Sequence, residues 1–283
     1  MTSGVEPSTI THATKTGPIA EIELPQLGLG VYESEVGSET ERAVLWALES
    51  GYRHIDTAAL YRNEPDVGRA IAISGIHRDE IHVTTKLWRD GHGFEATQAA
   101  CLDSLKRLDL EYVDLYLVHQ PPIPDLRADT WRGMEVLLEQ GKTRAIGVSN
   151  FGAHHLDELQ NYATVMPSVN QIEMSPYLQR PTLARRCEEL GITITAYSPL
   201  TQGKKLDDPR LIGIATEHGK SPAQIMIRWG LQMGYIVIPK SVHQNRIIEN
   251  INIFDFALSD EEMRIMAKFD EHFIAEWDPT IDP

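Results

Sequence analysis

From about residue 27 to residue 250, eight short runs rich in β-branched residues alternate with longer stretches of helical periodicity, and nothing else in the chain narrows its folding options as far. The runs are PQLGLG, RHID, IHVTTK, YVDLYLVH, TRAIGVS, PSVNQIE, ITITAYS and YIVIP. Between them, SETERAVLWALESG opens on a Ser/Thr/Glu cluster and closes on glycine, and FEATQAACLDSLKRLDL carries apolar residues at helical spacing. Such alternation calls for a parallel sheet with helical crossovers. Eight repeats close that sheet on itself, so the expected fold class is α/β, a (β/α)8 TIM barrel. An open doubly wound sheet competes. It should carry GxGxxG after its first strand, whereas GLGVYE lacks the third glycine and its GxG reads as a tight turn.

The ends of the chain add decorations. MTSGVEPSTITHATKTG is polar, with neither a basic n-region nor an apolar h-region. It reads as a loose arm over about residues 1–18 leading into an N-terminal β-hairpin. SPAQIMIRWGLQ has a Ser-Pro helix start. LSDEEMRIMAKFD reads as an extra C-terminal helix outside the repeat, with Ser259 as N-cap and Glu262 completing a capping box, ahead of a short tail over about 270–283. A barrel of about 250 residues accommodates this length, and no linker or composition break intervenes, so residues 1–283 are expected to form one domain.

No apolar run approaches the ~20 residues that cross a bilayer, and a formal net charge of −15 repels nucleic acid and anionic membrane. Cys101 and Cys187 lie in helical patterns at unrelated spacing, as reduced thiols of a cytoplasmic protein would. A monomer is the default, since no exposed apolar stripe argues for a dimer.

In a barrel of this kind, chemistry gathers at the C-terminal ends of the strands. GYRHIDTAALYRNE, residues 51–64, brings Asp56 and Tyr61 there, Lys86 ends IHVTTK, and His119 ends YVDLYLVH. Singly, the Asp, Tyr and His each have a plain structural reading: an N-cap, a core tyrosine, a satisfied interior histidine. Delivered together by three strands, the four form a proton-donating set. A phenol of pKa about 10 is a reluctant acid, and an adjacent cation favours its phenolate. Lys86 would be that cation, Asp56 would keep it charged, and His119 would orient the substrate oxygen. A metal site is not expected, because His54 and His119 stand alone while His92, His154, His155 and His218 fall in helices or loops.

Three separated motifs, GYRHIDTAALYRNEPDVG, RAIGVSNF and IPKSVHQNRIIENI, with Lys86 and His119 between them, resemble the aldo-keto reductase family over nearly the whole chain. AYSPL, HGKSPAQ and IVIPKS are most similar to its bacterial and lower-eukaryotic branch of small-aldehyde and 2,5-diketo-gluconate reductases. The resemblance implies NADPH-dependent reduction of aldehydes and ketones to alcohols, with Tyr61 as general acid within a tetrad of Tyr61, Asp56, Lys86 and His119. It implies that Ser149, Asn150 and Gln171 grip the nicotinamide carboxamide, that Tyr197 stacks on the ring, and that Ser198, Leu200 and Gln202 follow the pyrophosphate. Lys240, Ser241 and Arg246 match the family's 2′-phosphate pocket with Val242 beside them, and Glu249 and Asn250 match its adenine-side contacts. The arginine fork and lysine point charge explain a preference for NADPH over NADH.

Val31, Tyr32, Trp88 and Gln120 fall at substrate-pocket positions of the family. Gln120 stands where many members have Trp, and Val31 where they often have Thr. The loop QPPIPDLRADTW and the tail EHFIAEWDPTIDP are short beside those of steroid-reducing members, which implies an open, shallow site for small ketoaldehydes, aromatic aldehydes or keto sugars. Trp277 either folds over the pocket or anchors the tail, and anchoring is favoured. The competing family reading is an NADPH-binding, redox-sensing or regulatory subunit with little turnover. That role calls for an added partner-binding region, and the chain offers only a short polar arm.

Overall fold

A computed structural model describes residues 9–10 and 24–282. Apart from Thr9–Ile10, the expected N-terminal arm lies outside the described residues. The strands are β1 (Thr9–Ile10), β2 (Leu24–Pro25), β3 (Leu29–Gly30), β4 (His54–Asp56), β5 (His82–Leu87), β6 (Val113–Val118), β7 (Thr143–Ser149), β8 (Val169–Glu173), β9 (Thr193–Tyr197) and β10 (Ile236–Val237). The helices are α1 (Ser38–Glu49), α2 (Glu64–Ile73), α3 (Phe94–Leu108), α4 (Pro124–Glu139), α5 (Ala153–Leu159), α6 (Pro181–Leu190), α7 (Pro209–His218), α8 (Pro222–Gln232), α9 (Gln244–Ile251) and α10 (Asp260–Met266).

β1 pairs antiparallel with β2, and β3 to β10 form one parallel sheet in chain order. Parallel bridges Leu27–Val237 and Gly30–Lys240 join the two ends of that sheet. Gly28 N donates to Val237 O at 2.9 Å, and Val237 N to Gln26 O at 2.7 Å. The expected barrel is therefore closed. A Cβ at Gly28 would lie 2.7 Å from His54 Nδ1, so this glycine makes room for a neighbouring side chain rather than forming the tight turn the sequence implied.

Alternation along the strands sorts their side chains between lumen and helices. Leu115, Leu117, Ala145, Val169, Ile236 and Ile238 meet in a cluster floored by Leu24 of β2, which is the filled lumen. Ile55, Val83, Tyr116, Ile146, Val148, Ile172 and Ala196 belong instead to the larger core shared with the helices. The ladder carries the lumen parity from strand to strand: Asp56 is opposite Thr84, Lys86 opposite Leu117, Ser149 opposite Gln171, and Glu173 opposite Tyr197. On β6, β7 and β8 polar residues thus replace apolar ones on the inward face near the C-terminal end, while β4, β5 and β9 are polar further down that face as well.

Helix starts follow their caps. Ser221 and Gln224 form a capping box on α8, and Ser259 and Glu262 form the expected one on α10. QPPIPDLRADTW is not a loop throughout. Pro124 opens α4, because proline's missing N–H costs nothing in a first helical turn, and residues 124–131 are already helical. Among the described residues no helix is long and apolar enough to cross a membrane.

His54 is buried in the lumen with Nε2 2.9 Å from Thr84 Oγ1, and burial lowers its pKa to about 3. Below pH ~6.5 the unfolded chain takes a proton that folded His54 refuses, so stability falls with acid across that window. The loss attributable to this residue reaches on the order of 5 kcal/mol at the acid end. Denaturant titrations at stepped pH should show the slope, and His54→Gln should make it shallower by one proton. An identical slope in the variant would clear His54 of the effect.

Candidate active site

The segment after β4 is held from several sides. Thr57 Oγ1 donates to Asn63 Oδ1 at 2.8 Å, and Asn63 Nδ2 donates to Val31 O at 2.9 Å. Glu64, fully buried at the start of α2, accepts from Thr85 Oγ1 at 2.6 Å and from Arg107 Nε at 2.6 Å. Gly68 completes the brace: a Cβ there would lie 2.1 Å from Leu108 O, so α2 packs against the end of α3 only through glycine. Between Thr57 and Asn63 the chain makes a 3-10 turn, Ala59–Tyr61, which delivers the Tyr61 side chain to the barrel mouth.

At the mouth the four expected residues converge. Lys86 Nζ, wholly buried, donates to Asp56 Oδ1 at 2.5 Å, to Thr57 O at 2.9 Å and to the Tyr61 hydroxyl at 3.2 Å. The Tyr61 and His119 rings are 5.6 Å apart, edge to face. Burial raises the Asp56 pKa against the pull of Lys86, and lowers that of Lys86 against the pull of Asp56. Burial and then the Asp56 charge raise Tyr61 well above an ordinary phenol, so the cation does not win the net shift as the sequence had implied. His119 is pushed well below the usual imidazole range by burial and by Lys86, and is neutral; its buried Nδ1 has no hydrogen-bond partner.

Asp56, Tyr61 and His119 open on a cleft of about 1110 Å³, with Lys86 buried behind them, and the cleft is large enough for a dinucleotide and a small second molecule. Of the residues expected at the cofactor, Asn150, Gln171, Tyr197, Ser198, Leu200, Gln202, Lys240, Ser241, Val242, Arg246, Glu249 and Asn250 all line it. Tyr197 donates to Asn150 Oδ1 at 2.9 Å, Asn150 Nδ2 donates to His119 O at 2.9 Å, and Gln171 Nε2 donates to Asp56 Oδ2 at 2.7 Å. Asn150 (φ 64°), Ser198 (φ 44°) and Gln202 (φ 53°) adopt left-handed backbone. That strain, in the segments after β7 and β9, is a mark of a functional rim.

Three expected lining residues sit elsewhere. Ser149 lies behind the surface, its hydroxyl donating to Gln171 O at 2.8 Å. Val31 is fully buried in the outer core, where its N–H donates to Asp56 O, so it braces β4 instead of touching a ligand. Gln120 is not part of the wall; its Oε1 accepts from Arg89 Nη2, and Arg89 is. Tyr32 and Trp88 line the cleft as expected.

The tail supplies two wall residues, Glu276, which the motifs did not single out, and Trp277. Glu173, buried at the end of β8, accepts from Ala275 N at 2.7 Å and from Glu276 N at 3.2 Å. Lys204 Nζ donates to Ala275 O at 3.1 Å, Gln202 Nε2 bonds Glu276, and Arg180 pairs with Asp278 at 3.0 Å. So pinned, Glu276 and Trp277 join the cleft. Trp277 is 44 % exposed at the rim and the pins are elsewhere, which reverses the favoured anchoring reading. Leu60, Ser221 and His243 are further lining residues the motifs did not single out. Among the described residues no group of three or more His, Cys, Asp or Glu is arranged to hold a metal ion.

The arrangement suits proton delivery to an oxygen that is gaining negative charge: a hydroxyl with an ammonium behind it, a neutral imidazole beside it, and a long polar groove leading away.

Comparison with known proteins agrees with that chemistry. The family described as "Aldo/keto reductase family" matches residues 26–210 and 204–271. A glyoxal reductase from Bacillus subtilis (strain 168) is 50% identical over 242 residues, covering 86% of this chain and 87% of its own. A 9,11-endoperoxide prostaglandin H2 reductase from Trypanosoma cruzi (strain CL Brener) is 49% identical over 253 residues, covering 88% and 89%. Among solved structures, an aldo-keto reductase of Bombyx mori in complex with NADP superposes with a TM-score of 0.87 at 37% identity, covering 96% of each chain.

Proposed function

The chain belongs to the aldo/keto reductase family, and on that footing we propose that it uses NADPH to reduce small ketoaldehydes, aromatic aldehydes or keto sugars to alcohols, with Tyr61 as the general acid. Carbonyl reduction by an NADP-dependent oxidoreductase is the family's activity. The observation that carries the finer reading is the bonded run Asp56–Lys86–Tyr61, ending beside His119 in the cleft.

Bound NADPH supplies the hydride; the protein supplies position and charge. A carbonyl that accepts hydride becomes an alkoxide, a far stronger base than any phenolate. Tyr61, held protonated by burial, then gives up its proton downhill even though its pKa is raised. Lys86 stabilises the phenolate left behind, and Asp56 holds that ammonium in place inside the barrel. Neutral His119 contributes one ring N–H as a hydrogen-bond donor to the substrate oxygen. Tyr32, Leu60, Trp88 and Trp277 form the surrounding apolar wall, and a rim built from short segments fits compact substrates. The name of the half-identical Bacillus subtilis relative, glyoxal reductase, supports ketoaldehydes among them.

The far end of the cleft fits an anionic cofactor. Lys240 donates only to Glu33 O, at 3.1 Å, and Arg246 has no carboxylate partner among the described residues, although the chain is strongly acidic. Both line the cleft next to Ser241 at the start of α9. We assign them to the 2′-phosphate. Arg246→Ala should raise the dissociation constant of NADPH by about 10- to 100-fold, the worth of one charge-assisted hydrogen bond, and barely move that of NADH. Fluorescence titration with the two cofactors checks this. Equal weakening of both would place Arg246 away from the phosphate.

The reading as a whole is tested by NADPH oxidation with phenylglyoxal, methylglyoxal, a keto sugar and a steroid. Turnover of the small carbonyls supports it. A steroid reduced much faster than phenylglyoxal would overturn the substrate class, and tight NADPH binding without turnover would replace the enzyme with a redox sensor.

A further inference from the structure

The wall near the reacting groups carries one cation that forms no ion pair, although Asp90 follows it in the chain. Arg89, in the 3-10 turn Arg89–Gly91 after β5, lines the cleft. Its guanidinium lies over the Trp88 indole, Cζ 4.7 Å from the ring centre, and Nη2 donates to Gln120 Oε1 at 3.2 Å. Among the described residues no carboxylate is within ion-pair distance of it. Trp88 in turn stands edge-on to His119, ring centres 5.1 Å apart. The guanidinium and the imidazole that meets the substrate oxygen thus both pack on the one indole.

We infer that Arg89 selects, among the carbonyl compounds of the proposed reaction, those that bear a carboxylate about one aromatic ring away from the carbonyl; this rests on the reading of the cleft as a carbonyl-reducing site. The planar fork of arginine matches a carboxylate bidentately, and Gln120 engages only one of its nitrogens. Stacking on Trp88 holds the guanidinium in advance, so less side-chain freedom is lost when an anion binds. The other charged groups at the mouth point the same way. Glu33 and Glu276 line the cleft near Tyr32 and add to the rise in its pKa, so an anionic group is repelled from the Tyr32 wall and drawn to the Trp88 wall. Lys240 and Arg246 serve the cofactor end, which leaves Arg89 as the guanidinium nearest His119 along the Trp88 wall.

The test compares 4-formylbenzoate with its methyl ester, two aldehydes of similar shape that differ in one charge, the ester being the more activated, so that a preference for the acid runs against carbonyl reactivity. The wild type should favour the acid in kcat/KM by about tenfold, through KM, as one solvent-touching, charge-assisted pair allows. Raising the salt concentration should shrink that ratio. In Arg89→Met the acid-to-ester ratio should fall to one or below, and Arg89→Lys should retain part of it as a point charge without the fork. A wild-type ratio near one, or a ratio unchanged in Arg89→Met, overturns the assignment while leaving the reductase intact. If neither aldehyde is reduced while phenylglyoxal is, the assignment fails alone; if phenylglyoxal is not reduced either, the reductase reading fails and the assignment goes with it.

Discussion

Tyr61→Phe is expected to lower carbonyl reduction by about 10²- to 10⁴-fold, the usual contribution of a placed general acid, while NADPH binding persists. Phenylalanine keeps the ring, so the contacts with Tyr32 at 5.0 Å and His119 at 5.6 Å remain. Only the hydroxyl 3.2 Å from Lys86 Nζ is removed. The pKa direction adds a second expectation. Since burial and Asp56 raise Tyr61, the group stays protonated beyond an ordinary phenol, and reduction should not decline through loss of this proton between neutral pH and pH ~10. Steady-state rates with phenylglyoxal across that range check both points. A variant that retained a tenth or more of the wild-type rate would remove Tyr61 from the role.

The largest effect on stability should come from Lys86→Met. The side chain is of similar length and the site wholly buried, so volume is nearly conserved, yet Asp56 is left in the lumen without its cation. Breaking a buried pair from one side typically costs about 3–5 kcal/mol, because the remaining charge has neither water nor partner. Asp56 Oδ2 keeps only the amide of Gln171. The sign with pH follows. The Asp56 carboxyl, already raised by burial, rises further without Lys86, so the folded variant holds a proton that the unfolded chain releases above pH ~3.9. The variant's deficit relative to wild type therefore grows as pH rises and is least in acid. Asp56→Asn added to Lys86→Met should recover much of the stability and none of the activity. Thermal unfolding of the three proteins at two pH values measures this, and a double variant no steadier than the single one would refute the account.

The barrel was legible because strand and helix differ in period, and eight changes of period in order leave few topologies. The convergence of Asp56, Lys86 and His119 at the mouth was legible for a related reason: each ends a run and shares its inward parity, which the ladder Asp56–Thr84 and Lys86–Leu117 makes explicit. What escaped depends on depth and on long-range contact. Ser149 is on the correct parity of β7, yet its hydroxyl is spent on Gln171 O, and no pattern distinguishes a polar group that faces the cleft from one buried just beneath it. Val31 follows directly on β3 and is covered by the core, a matter of packing rather than spacing. α4 was misread at its start because two prolines before Ile123 resemble a loop, whereas the third, Pro124, begins a helix. Glu276 escaped, and Trp277 was left between two roles, because the tail reaches the cleft through distant partners such as Glu173, Arg180 and Lys204, and sequence periodicity carries no record of such distances.

The way the tail is held has a consequence for how such an enzyme can change. Glu173 accepts main-chain N–H groups and Lys204 donates to a main-chain carbonyl, so these pins grip the backbone at Ala275 and Glu276 whatever side chains stand there. Mutation can therefore exchange the residues that face an incoming molecule without loosening the segment that presents them. Drift in what is accepted is uncoupled from the cost of keeping the rim in place, and new tastes can arise one substitution at a time over untouched chemistry.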